Sequence, residues 1–182
     1  MVSPDQENRR GIMNDWDLSF DREGALQHVG GERTGTVPFM ALDLLTEEYW
    51  AGTIPRLYRH DLEGLIWVLP WVFLQYENGS LTVSKLKSWR TGDYFACQKE
   101  KRTFLAHFRK TSNYLPTRSW ATEWELAYVL LDWIHAEDYN RQRRVRTWEE
   151  PSNAHVRECF WKEVEQAKTN LPSLSYIELP QS

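Results

Sequence analysis

The sequence offers little for sulfur or metal chemistry. Its two cysteines, Cys97 and Cys159, stand far apart, with no metal-ligand spacing and no disulfide framework. A reducing, intracellular compartment, cytoplasmic or nuclear, is therefore expected. The five histidines, His28, His60, His107, His135 and His155, are equally scattered. Neither G-x-S-x-G nor H-E-x-x-H occurs, so no self-contained hydrolase or zinc-protease site is written in the chain. An excess of basic charge is missing too: the net charge of −4 gives no global attraction for nucleic acid or an anionic membrane. No apolar run approaches the ~20 residues that span a bilayer. Met1–Arg10 is polar and lacks the apolar core of a signal peptide. No repeat or low-complexity block stands out.

What the chain does have is aromatic mass. Ten Trp and 14% aromatic residues argue against disorder despite 26% charged residues, and 182 residues suit one domain with a sizeable core. The stretch around which it is organised is Arg59–Gln75, RHDLEGLIWVLPWVFLQ. Leu62, Leu65, Ile66, Leu69, Phe73 and Leu74 keep helical spacing, while Trp67, Val68, Trp71 and Val72 make the opposite face almost as apolar. The pattern predicts a helix over 61–76 that is buried on all sides. Pro70 removes one helical hydrogen bond within it. Asp61, with Glu63 behind it, is expected to accept from the free N–H groups of the first turn.

Three motifs in order carry a resemblance. Gly11–Ser19, GIMNDWDLS, holds an Asp-aromatic-Asp turn at Asp15, Trp16 and Asp17. Arg33–Leu45, RTGTVPFMALDLL, reads Gly-Thr-x-x-Phe-Met-Ala from Gly35 and Thr36. RHDLEGLIWVL then carries His60 and Asp61 directly after Arg59. Together they resemble the fungal-type protein kinases, from their variant of the D-F-G motif, through the end of the activation segment where other kinases have A-P-E, to the central helix of the C-lobe. "LKSWRTGDYFACQKEKRTFL" extends the likeness to about residue 110.

The resemblance implies roles. Asp15 would be the remnant magnesium ligand, since a hard cation wants carboxylate oxygen beside nucleotide phosphates. Read without the resemblance, Asp15 and Asp17 simply cap a turn. Thr36 matches the threonine beside the catalytic aspartate and the substrate. Asp43 stands where the family usually has glutamate. That shorter carboxylate has less reach toward the arginine it pairs with in kinases, so the ion pair is put in question. His60 has a structural role, and the intact family uses ATP and Mg²⁺.

The fold class expected is mainly α, a partial kinase-like C-lobe with at most a short β-hairpin or strand near the N-terminus, Ile12–Asn14 being the strand candidate. Ser19–Glu32, with Gly24, Gly30 and Gly31, reads as a loop. Helices are predicted near 38–45, 61–76, 92–110, 122–139 and 152–169. Thr46–Leu57 reads as a connector and Glu77-Asn78-Gly79-Ser80 as a turn. Thr122 begins a capping box with Glu125, and Ser152 is a cap for the last helix. Arg141, Arg143, Arg144 and Arg146 form the one basic cluster. A nuclear-targeting or anion-binding patch is weighed against a solvated face that suits the helix dipole, and the solvated face is favoured. In domain terms, 1–110 reads as the kinase C-lobe fragment and 111–182 as its helical extension with an extended tail.

Function follows from what the 182 residues do not contain. No Gly-rich loop, strand lysine or H-R-D-x-x-x-x-N stretch precedes Asp15. A single metal-ligand candidate leaves phosphoryl transfer without its positioning and electrostatic parts. The expectation is an inactive, truncated kinase-family chain with no cofactor of its own. The alternative is a pseudokinase-like module that binds an unidentified protein partner, with neither nucleic acid nor membrane as partner.

Overall fold

The computed structural model describes residues 36–90, 92–143 and 150–172. Among them helices dominate, as expected. Two 3-10 turns, Val37–Phe39 and Leu42–Leu45, lead into the short helix α1 (Glu47–Trp50). Helix α2 (Tyr58–Phe73) follows, then a hairpin of β1 (Tyr76–Glu77) and β2 (Ser80–Leu81), α3 (Tyr94–His107), α4 (Trp124–Arg143) and α5 (Asn153–Asn170). The predicted helix over 38–45 is thus a pair of 3-10 turns, since Pro38 sets the first turn and the carbonyls behind it bond outward to α3. The hairpin lies in mid-chain rather than near the N-terminus. Asn78 and Gly79 both take positive φ, 49° and 79°, which is what a two-residue turn between twisted antiparallel strands requires. Ile12–Asn14 lies outside the described residues.

The chain wraps α2, which packs against α4, α5 and the Val37–Phe39 turn. Its inward side is aromatic. Trp67, fully buried, meets Trp89 edge to face at 5.4 Å, and Phe104 from α3 closes the group at 5.5 Å from Trp89. Burying one such indole is worth on the order of 4–6 kcal/mol, from ~150–250 Å² at ~25 cal/mol/Å². Gln75, buried just past the helix end, donates to the Trp71 carbonyl and accepts from Leu86 N–H, while its own carbonyl takes Thr82 N–H. Its polar groups are therefore satisfied where the chain leaves the core.

Burial of α2 is not complete all round. Leu65 is 67% exposed and Asp61 lies beside it at the surface, with Val68, Leu69 and Val72 half-buried. The apolar run predicts a helix correctly, yet no described element covers this stripe. The helix also starts three residues before Asp61. Asp61 pairs with Arg56 on the surface at 2.6 Å instead of capping, and the cap-position Leu57 N–H is taken by His60 Nδ1 at 3.1 Å. Ser152 does cap α5 through a hydrogen bond from His155 N–H.

Candidate functional site

The site builds up from Val37–Leu45, whose backbone is held from two sides. From α3, Lys101 Nζ donates to the Met40 carbonyl at 2.6 Å, Gln98 Nε2 to the Leu42 carbonyl at 2.8 Å and Cys97 Sγ to the Val37 carbonyl at 3.7 Å. From α2, Glu63 Oε1 accepts Leu42 N–H at 2.8 Å and Trp67 Nε1–H at 3.1 Å. One helix takes the carbonyls and the other an amide. The segment cannot re-form a longer helix without giving up these bonds, each worth ~1 kcal/mol net and more where the partner is charged.

Its far end is fixed electrostatically. Asp43 Oδ2 lies 2.7 Å from Arg59 Nη2, 3.7 Å from His60 Nε2 and 3.6 Å from Arg141 Nε. Arg59 also pairs through Nε with Glu150, and Arg141 Nη2 stands 3.9 Å from Glu63. Because His60 Nδ1 accepts from Leu57, the ring proton belongs on Nε2, facing Asp43. Burial alone would raise the Asp43 pKa, but the His60 imidazole and the Arg141 and Arg59 guanidiniums outweigh it and hold the carboxyl well below the usual carboxylate range. Burial works against the charge on Arg59, and Glu150 and Asp43 more than restore it.

Despite its shorter side chain, Asp43 is thus ion-paired, directly with Arg59 and at longer range with Arg141. Arg141 also departs from the expectation of a solvated face: its side chain is 12% exposed and turned inward, because the last turns of α4 pass over the start of α2. Arg143 does lie at the surface, over the Tyr139 ring. Arg144 and Arg146 fall outside the described residues. So do Asp15, Trp16, Asp17 and Gly35, and with them the remnant magnesium ligand. Thr36 is exposed, and its carbonyl accepts Phe39 N–H at 2.8 Å as the cap of the first turn. The described residues bring Asp43 and His60 together and leave Thr36 and Asp61 outside the cluster.

Glu63, Arg59, Arg141 and Glu150 are the members that sequence reasoning missed or undervalued. A signal existed for Glu63, a carboxylate one helical turn before Trp67 on a side that is otherwise apolar, but none for Glu150. Residues 1–73 match the family model described as fungal protein kinase. Over that stretch the chain is similar to that family. The match ends at Phe73, the last residue of α2, short of the residue 110 to which the likeness was read. Neither the curated proteins nor the solved structures gave a match. The cluster joins the Val37–Leu45 segment to the first turn of α2 and to the C-terminal end of α4. Among the described residues no group of His, Cys, Asp or Glu is arranged to hold a metal, and no helix is long and apolar enough to cross a membrane.

Proposed function

We propose that this chain supplies the helical support of a kinase-type C-lobe, the base on which an activation segment is anchored, and does not itself transfer phosphate. The observation that carries the reading is the double clamp on Val37–Leu45 with Asp43 locked to Arg59. The charges of Asp43, Arg59 and Lys101 there are directed at other protein charges or at backbone, which suits anchoring. The sequence supports the same reading, since these 182 residues hold no Gly-rich loop, strand lysine or H-R-D stretch. Magnesium gives up its waters reluctantly and is held in kinases jointly with phosphate oxygens, so Asp15 alone would bind it poorly.

Calorimetry of the purified chain with ATP and Mg²⁺, beside a radiolabel transfer assay on a generic protein substrate, tests the reading. Neither saturable binding in the micromolar range nor transfer is expected. Micromolar binding abolished by Asp15→Asn, or any transfer, would overturn it. A second reading, a non-catalytic module that binds protein, is favoured by the 67% exposure of Leu65 on the central helix. A partner whose binding is lost on Leu65→Glu, with the fold intact, would select it.

A further inference from the structure

Behind the ion pairs lies a small cavity of about 20 Å³ between α2, α4 and the start of α5, with Ile134 and Val156 on its apolar side and Arg59, Arg141, Glu63 and Glu137 on its polar side. Three guanidinium nitrogens there, Nη1 of Arg59 and Nε and Nη2 of Arg141, are buried and have no hydrogen-bond partner among the described residues. Arg59 as a whole is only 9% exposed. Arg141 faces Asp43 at 3.6 Å and Glu63 at 3.9 Å, too far for direct hydrogen bonds. Buried donors left this way are costly, and a polar gap beyond 3.5 Å is where a water belongs.

We propose that one ordered water occupies this cavity, accepting from Arg59 Nη1 and Arg141 and donating to Glu63. The volume fits a single water, which needs roughly 10–15 Å³. Charge selects water over an anion: the two guanidiniums already pair with Asp43, Glu63 and Glu150, and Glu137 adds a further carboxylate to the lining. The inward N–H groups repel a metal ion. A water both accepts from arginine and donates to carboxylate, so it alone completes both sides. The joint between α4 and α2 is then hydrated, beside the longer-range ion pair of Arg141 with Asp43, whatever the chain's role.

A crystal structure of the unmodified chain grown in bromide tests this. Density within hydrogen-bond distance of Arg59 Nη1 and Arg141, without anomalous signal, is expected. An anomalous bromide peak, an empty cavity, or Arg141 closed onto Glu63 with no room left would overturn it. In solution, a nuclear Overhauser contact between water and the Arg59 guanidinium protons should persist at a strength that marks a long-lived water, and its absence from an otherwise assigned spectrum would count equally against the proposal.

Discussion

Arg59 Nη2 lies 2.7 Å from Asp43 Oδ2, although aspartate is a methylene shorter than the glutamate usual at this place in the resembling family. The missing reach is made up by the partner. Arg59 sits in the first turn of α2, directly beneath the 3-10 turn that carries Asp43, while Arg141, arriving from α4, stops at 3.6 Å. A local arginine thus takes the direct contact and the distant one completes the field.

Asp43→Asn should therefore destabilise the chain by about 2–3 kcal/mol. Removing one partner of a buried pair strands the other charge, and the 18% exposure of Asp43 moderates the loss. The pH dependence has a definite sign. A carboxyl held below its ordinary pKa stabilises the fold above the ordinary carboxylate range, near pH 4, and that stability is lost as the pH falls further. Urea denaturation at pH 7 and pH 3 should show the wild-type advantage over Asp43→Asn shrinking at the lower pH. An advantage equal at both would refute the assignment.

Gly64→Ala should destabilise too, against the usual rule that alanine improves a helix interior by about 1 kcal/mol. A Cβ at position 64 would lie 2.9 Å from the backbone carbonyl oxygen of Phe39, which cannot swing aside as a side chain can. A net loss of about 1–3 kcal/mol is expected, with the Val37–Phe39 turn displaced from α2. A rise in Tm would show that this approach is looser than the structure has it.

Leu65 and Trp67, two positions apart, should respond to substitution with very different losses. Leu65→Gln keeps helix propensity at a 67% exposed position and should stay within about 0.5 kcal/mol of the parent. Trp67→Ala empties a fully buried site against Trp89 and Phe104 and should cost about 3–5 kcal/mol. Urea midpoints for both variants decide it, and similar losses at the two positions would mean that the stripe at Leu65 is covered.

That contrast also marks how far the sequence could be read. The helices were legible because apolar spacing of 3.6 residues is a local property, and α3, α4 and α5 lie within a few residues of their predicted spans. Which flank of α2 is covered is not local: Leu65 and Ile66 are equally apolar, and only the packing of α4 and the Val37–Phe39 turn tells them apart. The charged cluster was half legible. Asp43 and His60 stood in motifs, whereas Glu150 reaches Arg59 from 91 residues away and no pattern links them. Arg141 looked like any arginine at a helix end, and its inward turn depends on where α4 passes over α2.

Lys101 gives the remaining prediction. It is fully buried, its Nζ lies 4.6 Å from the Trp67 ring centroid and 5.6 Å from that of Trp89, and it holds the Met40 carbonyl. Burial pushes its pKa down to about 8, against the opposing pull of Cys97 and Glu63. Below that value folded and unfolded chains both carry the proton, and the fold bears the whole cost of a buried ammonium. Between about 8 and the ordinary lysine value of 10.5 the folded chain has released a proton that the unfolded chain keeps. Stability should therefore rise with pH across this window, by up to about 1.4 kcal/mol per pH unit for one proton. The Cys97 thiol, pushed up chiefly by burial, acts in the opposite sense above its ordinary value of 9.0. The test is therefore a difference between wild type and Lys101→Met, both of which retain that thiol. Thermal unfolding from pH 7 to 10 should show wild type gaining on the variant as pH rises. Parallel curves would mean that Lys101 keeps its proton throughout, with the aromatic rings and the Met40 carbonyl compensating its burial in full.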